Sequence, residues 1–211
     1  RQTLGEVFRR LAGDGTVPAI HRLETAFGGG KTHALIACVH IAYRGKDLLG
    51  LVDDLLEPEL LPKPGSIQVV GVAGDKIPVH EPKGNDLVPC TLWGEIAHQV
   101  GGDDLYREVE NEARSLAAPG KTYFQRVFSG RKVLVMLDEL AQYAARLEAA
   151  RPDGASQLAA FLLALHDYAR TNLGTAVVLT LAGTRDAFSR QTSYLAKLVS
   201  DVRGEEVAQQ D

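Results

Sequence analysis

Three runs of this chain are apolar at nearly every position rather than at every second one: Ile67 to Ala73 ("IQVVGVA"), Val133 to Leu137 ("VLVML") and the start of "TAVVLTLAGTRD" from Thr175. A strand with one face in water alternates apolar and polar residues. Strands without alternation are covered on both faces, as in parallel sheets whose crossover helices lie on either side. Ile20 to Leu23 adds a shorter strand candidate. Helical stretches fall between the strands: "KTHALIACVHIAY" from Lys31 to Tyr43, apolar on nearly every side, and the almost wholly apolar "QLAAFLLALHDYA". The alternation predicts an α/β fold with a mostly parallel sheet covered by helices on both faces.

Several connecting segments are readable in the same way. Leu92, Trp93, Ile96, Ala97 and Val100 share one helical face, and Gly101-Gly102 stops that helix. Positions 105, 109, 113 and 116 of "DDLYREVENEARSLAA" then predict a half-exposed helix with an acidic side. Asp47 to Leu56 is expected to form a short helix, broken by the three prolines of "EPELLPKPG".

The bulk numbers narrow the class. With 45% hydrophobic residues, a chain of 211 can bury one sizeable core, so residues 1–211 are read as one domain. A net charge of -4 offers no bulk basic surface, so nucleic-acid contact would need a local patch. Cys38 and Cys90 lie too far apart in sequence for a zinc knuckle and are too few for a disulfide framework, which makes a reducing, cytoplasmic setting the expectation. The longest apolar run, within Leu158 to Leu165, is too short to span a bilayer, and no membrane association is expected. The only methionine is Met136 and the end is polar, so the chain is read as an excerpt of a longer protein.

The chemistry concentrates in two places. "ETAFGGGKTH", Glu24 to His33, joins the first strand to the first long helix. Strand, glycine loop, helix is the order of a phosphate-binding loop, in which glycines let backbone N–H groups surround phosphate oxygens and the helix N-terminus adds its dipole. Lys31 is placed to reach the β and γ phosphates and Thr32 to ligate Mg²⁺. The full pattern wants a glycine where Thr25 stands; that position eases the entry turn, and Gly28 and Gly29 are expected to supply the freedom instead. Phe27, Gly28, Gly29, Gly30, Lys31, Thr32, His33 and Thr184 form the candidate nucleotide-binding set.

The second place is "VLVMLDE", an apolar strand ending in two carboxylates. Asp138 is the candidate for holding magnesium through water, with Thr32 as its partner ligand, and Glu139 for orienting and deprotonating the attacking water; Lys31 and Glu139 are the candidate catalytic pair. Thr180 and Thr184, near the end of the fourth strand, are candidates for touching the γ-phosphate or the water, or are ordinary strand threonines. Arg185 and Arg190 are candidates for phosphate contact or for acting across a subunit interface, though a salt-bridged surface arginine is the commoner case. Trp93 is read as core, Tyr143 as packing in preference to stacking on a base, and His98 and His166 as helix-face residues.

"FGGGKTHALIA", "TLWGEIAHQVGG" and "VLVMLDELAQY" together resemble the large P-loop ATPases of prokaryotic phage-defence islands, a AAA+-like group that includes the PglY-type ATPase of BREX systems. The resemblance runs from about Leu23 to Asp186. It implies an incomplete AAA+/RecA-like core inside a longer cytoplasmic protein, using ATP and Mg²⁺ beside DNA or DNA-modifying defence proteins. It places phosphate binding on Gly28 to Thr32, magnesium on Asp138 and catalysis on Glu139. The leading expectation is an ATPase whose turnover drives conformational change. The alternative is a nucleotide-dependent interaction module with negligible turnover, and a nucleotide kinase is the weakest of the three readings.

Overall fold

The computed structural model describes residues 2–24, 31–80, 87–181 and 189–208. The elements are α1 (Gln2–Ala12), β1 (Ile20–Glu24), α2 (Lys31–Arg44), β2 (Gln68–Ala73), α3 (Leu92–Glu108), α4 (Glu110–Arg114), α5 (Lys121–Phe128), β3 (Val133–Asp138), α6 (Leu140–Ala150), α7 (Gly154–Thr171), β4 (Thr175–Leu181) and α8 (Ser189–Ala208).

The four strands form one sheet in the order β1-β4-β3-β2, and every neighbouring pair is parallel. The chain crosses the sheet once from β1 to β2 and then steps back through β3 to β4. Crossovers of one hand place connections running in opposite directions on opposite faces. The apolar packing obeys this. Val133, Val135 and Leu137 of β3, with Val177, Leu179 and Leu181 of β4, join a core with α3, α5, α6, α7 and α8. The intervening residues Leu134, Met136, Ala176 and Val178 join a second core with Val7, Phe8 and Leu11 of α1 and Cys38, Ile41 and Ala42 of α2. Unbroken apolar strands are thus explained, since each successive side chain enters one or other core.

Trp93 is the node of the larger core. It is fully buried, its ring lies 5.6 Å from that of Phe161, and its Nε1 donates to the carbonyls of Glu112 (2.9 Å) and Ser115 (3.0 Å). Tyr123 donates its hydroxyl to the Trp93 carbonyl at 2.7 Å, and burial pushes that phenol well above its ordinary range. Thr91 caps α3, accepting from Gly94 N at 2.9 Å while donating to the Ala113 carbonyl at 2.6 Å. A Cβ at Gly94 would lie 2.7 Å from that same carbonyl oxygen, so glycine is required where α3 meets α4.

Two polar devices hold outlying parts of the fold, one buried and one at the exposed edge of β2. Arg10 of α1, 1% exposed, donates to the carbonyls of Ala169 (2.6 Å) and Arg170 (3.1 Å) in the last turn of α7 and to that of Val17 (3.3 Å). A cation there also meets the negative end of the α7 dipole. On the outer edge of β2, Gln99 accepts from Gly71 N at 2.9 Å and donates to Gly71 O at 2.8 Å. A side-chain amide thereby occupies the ladder position that another strand would fill.

The segment read as a helix over Asp47 to Leu56 is instead a 3-10 turn, Gly45–Leu48, followed by irregular turns. Gly50 sits at φ 79°, and its N–H donates to Asp53 Oδ1 at 2.9 Å, a local bond that competes with helical pairing. Leu48 and Leu56 are buried, while Leu49 and Leu51 point outward. At Gly101-Gly102 the chain does break, with Gly102 at φ 65° and ψ -158° inside α3, and helical pairing resumes directly beyond it.

Cys38 and Cys90 are both buried, and desolvation pushes the Cys38 thiol up to about 11. Iodoacetamide at pH 8 is expected to label neither cysteine in the folded chain and both after unfolding in guanidinium, as read by mass. Labelling of native Cys38 would show that the α1/α2 core opens to solvent. Among the described residues, no helix is long and apolar enough to cross a membrane.

Candidate functional site

Parallel strands bring their carboxyl ends to one edge of the sheet. Register places Ala73 opposite Asp138, Leu137 opposite Leu179, and Thr180 opposite Leu23, so Ala73, Asp138, Thr180 and Leu23 form one row across that edge. Strand alternation decides the face: Asp138 follows Leu134 and Met136, and Thr180 follows Ala176 and Val178, so both point to the side covered by α2. Contact confirms it, because the Thr180 hydroxyl donates to Asp138 Oδ1.

Asp138 Oδ1 also accepts the N–H of Glu139 at 2.9 Å. With two donors on Oδ1, the half-buried carboxylate meets no donor on Oδ2 among the described residues. Thr180 is thereby committed to the carboxylate beside it.

Glu139 is the half-buried N-cap residue of α6 and adopts the left-handed conformation, φ 53° and ψ 35°. For a residue with a side chain this backbone carries strain of about 1–3 kcal/mol, held by its surroundings. Its carbonyl accepts from Gln142 N (3.2 Å) and Tyr143 N (3.3 Å), starting the helix. Its carboxylate makes no cap bond to the backbone; Oε2 accepts from the Gln142 side-chain amide at 2.8 Å. Gly74, just beyond β2, presses against this turn, and a Cβ there would stand 2.7 Å from Glu139 O and 2.9 Å from Tyr143 Cβ. Arg146 holds the Gly74 carbonyl at 2.6 Å.

Tyr143 is fully buried, with its hydroxyl accepting from Leu92 N at 3.4 Å and burial raising its phenol above the ordinary range; it packs, as expected. Arg190, 77% exposed, pairs with Glu148 Oε2 at 2.8 Å, and Gln191 donates to the same oxygen at 2.9 Å. The commoner fate of a surface arginine therefore holds for Arg190. His98 is half-exposed and lies 3.1 Å from Asp103, and His166 is buried on α7.

Lys31 and Thr32 are the first residues of α2, and their side chains lie outside the described part of the chain; His33, in the same turn, is exposed. Phe27, Gly28, Gly29, Gly30, Thr184 and Arg185 lie outside the described residues. The chain leaves β1 toward α2 on one face and leaves β4 toward α8 on the other, so the crevice between β1 and β4 is the point at which connections diverge. Ligands of open parallel sheets bind at such crevices. In the sequence, residues 25–30 lie between β1 and α2 and residues 182–188 between β4 and α8, outside the described residues.

Among the described residues no group of three or more His, Cys, Asp or Glu side chains is placed to hold a metal by itself. Mg²⁺ keeps most of its water and takes only one or two carboxylates plus phosphate oxygens. Asp138 Oδ2, on the α2 side of the sheet edge, fits such a role.

Gln142, Gly74 and Arg146 are additions that sequence reasoning passed over. A glutamine three residues after an acidic pair was the only available signal, and the glycine's role rests on β2–β3 register.

Fold and edge geometry define the class: an α/β protein with an all-parallel sheet and a carboxylate pair beside its switch-point crevice. The chain belongs to the DUF499 family, whose description, DUF499 N-terminal domain, matches residues 1–207. No curated protein and no solved structure matches it.

Proposed function

We propose that this domain is a P-loop ATPase module that binds Mg-ATP at the β1/β4 crevice and hydrolyses it to ADP and phosphate. The observation that carries the reading is the placement of Asp138 and Thr180 on the α2 side of the sheet, at the edge where α2 begins with Lys31-Thr32. In this reading the helix that opens with Lys31-Thr32 and the carboxylate at the end of β3 serve one phosphate and cation site.

In this reading the glycines Gly28 to Gly30, with Phe27 and His33 beside them, surround the phosphates, and Lys31 neutralises them. Thr32 and Asp138 hold Mg²⁺, which when bound offsets the charge that develops on the phosphates. Glu139 takes the proton of the water whose oxygen bonds to the γ-phosphorus as the bond to the β–γ bridging oxygen breaks. Thr180 keeps Asp138 in place. Thr184 is the remaining polar candidate for the γ-phosphate.

The wider role we propose rests on the resemblance to the phage-defence ATPases, PglY-type proteins among them: a cytoplasmic module of a longer protein, driving conformational change in a complex that handles DNA. The test begins with binding. The full-length protein is expected to bind a fluorescent ATP analogue in the presence of Mg²⁺, and Lys31→Ala is expected to weaken this by at least about tenfold, the loss of one charge-assisted contact to phosphate. Equal binding by both proteins would remove the glycine loop from the site and the ATPase reading with it.

A further inference from the structure

The Glu139 carboxylate is placed with more structure than a helix start needs. A short polar side chain at an N-cap ordinarily accepts a backbone N–H of the first turn, from an extended backbone. Glu139 does neither: its backbone is left-handed and its carboxylate makes no cap bond. Three separate groups nevertheless fix it. Gly74 leaves room for the Glu139 carbonyl where any Cβ would collide, Arg146 anchors the Gly74 carbonyl at 2.6 Å, and the Gln142 amide holds Oε2 at 2.8 Å. The left-handed turn starts α6 through the Glu139 carbonyl, while Gly74 just beyond β2 braces its backbone and Gln142 holds Oε2, an arrangement that points to a carboxylate whose orientation matters.

Resting on the ATPase reading above, we infer that Gln142 is a positioning residue that sets the direction of the Glu139 carboxylate toward the attacking water. The Gln142 Nε2–H bond occupies Oε2 and leaves Oε1 without a protein donor among the described residues. A carboxylate pinned through one oxygen presents the other in a fixed direction, as proton abstraction by a positioned base requires. Because Gln142 lies in the first turn of α6, its amide moves with the helix, so the Glu139 orientation is tied to α6.

The test uses the full-length protein with Gln142→Ala and Gln142→Met, the second keeping most of the length of the side chain without its donor or a new charge. Both are expected to lower kcat about tenfold, part of what a positioned base contributes, with ATP affinity within about twofold of wild type because no phosphate contact is lost. A double-mutant cycle separates positioning from packing. In a Glu139→Gln background the Gln142→Ala change is expected to have no further effect on kcat, since residues acting through one another are not additive. Wild-type kcat in both single variants, or a further drop in the double variant, overturns the inference while leaving the ATPase reading standing. Wild-type turnover in Glu139→Gln, or no Mg-ATP hydrolysis by the unaltered protein, removes the ATPase reading and the inference together.

Discussion

Glu139→Gln in the full-length protein is expected to lower steady-state phosphate release from Mg-ATP by roughly 10²–10⁴-fold, the range associated with a positioned general base. The substitution keeps the size of the side chain and removes only its ability to take a proton. The Glu139 backbone should hold its left-handed turn, because the Gly74 contact and the carbonyl bonds to Gln142 N and Tyr143 N do not involve the carboxylate. ATP binding should therefore survive. The pattern to look for is a fall in kcat with nucleotide affinity retained, the mark of an interaction used in the transition state. Loss of binding and turnover together would mean that Glu139 serves the architecture of the crevice. Retained binding with negligible turnover in the unaltered protein would favour a nucleotide-dependent interaction module.

Trp93→Ala is the substitution expected to cost most in stability. The indole is fully buried, packs on Phe161, and satisfies the carbonyls of Glu112 and Ser115 beyond the Gly102 break. Truncation would leave a cavity and orphan two acceptors, and large aromatic deletions in cores cost about 3–5 kcal/mol. In a domain of this size that corresponds to a melting point lower by on the order of 10 °C, measurable by calorimetry. Trp93→Phe should recover part of the packing but neither hydrogen bond. A shift of only a degree or two for Trp93→Ala would mean that α3 and the α4 segment are not held together through this side chain.

How much of this was legible beforehand depends on range. Gln68, Val133 and Thr175 open strands that apolar runs announce, since a fully covered sheet imposes that pattern within a few residues; Ile20 opens a strand with His21 and Arg22 in it, legible only from its place before the glycine loop. Asp138 and Glu139 were legible for the same reason, as carboxylates where such a run ends. The α1 stripe of Leu4, Val7, Phe8 and Leu11 was also present in the sequence, at helical spacing, and passed without notice. The segment after α2 misled because leucines at 48, 49, 51, 55 and 56 imitate a helical face while Gly50 and Asp53 set a turn. Strand order, and with it the meeting of Thr180 with Asp138, depends on pairing across distant parts of the chain. The wedge of Gly74 against Glu139 depends on register to within one residue, which no local pattern encodes.

The placement of β1 beside β4 also sets a timetable for the growing chain. Ile20 pairs with Val177, and Arg10 finds its carbonyl partners at Ala169 and Arg170. At roughly 5–20 residues per second of synthesis, Val7, Phe8 and Ile20 wait about ten seconds or more after leaving the ribosome for the surfaces that will cover them. The N-terminal segment is thus the stretch most exposed to wrong partners at birth. Its strand, β1, pairs in the sheet with β4, the last of the four strands to be made.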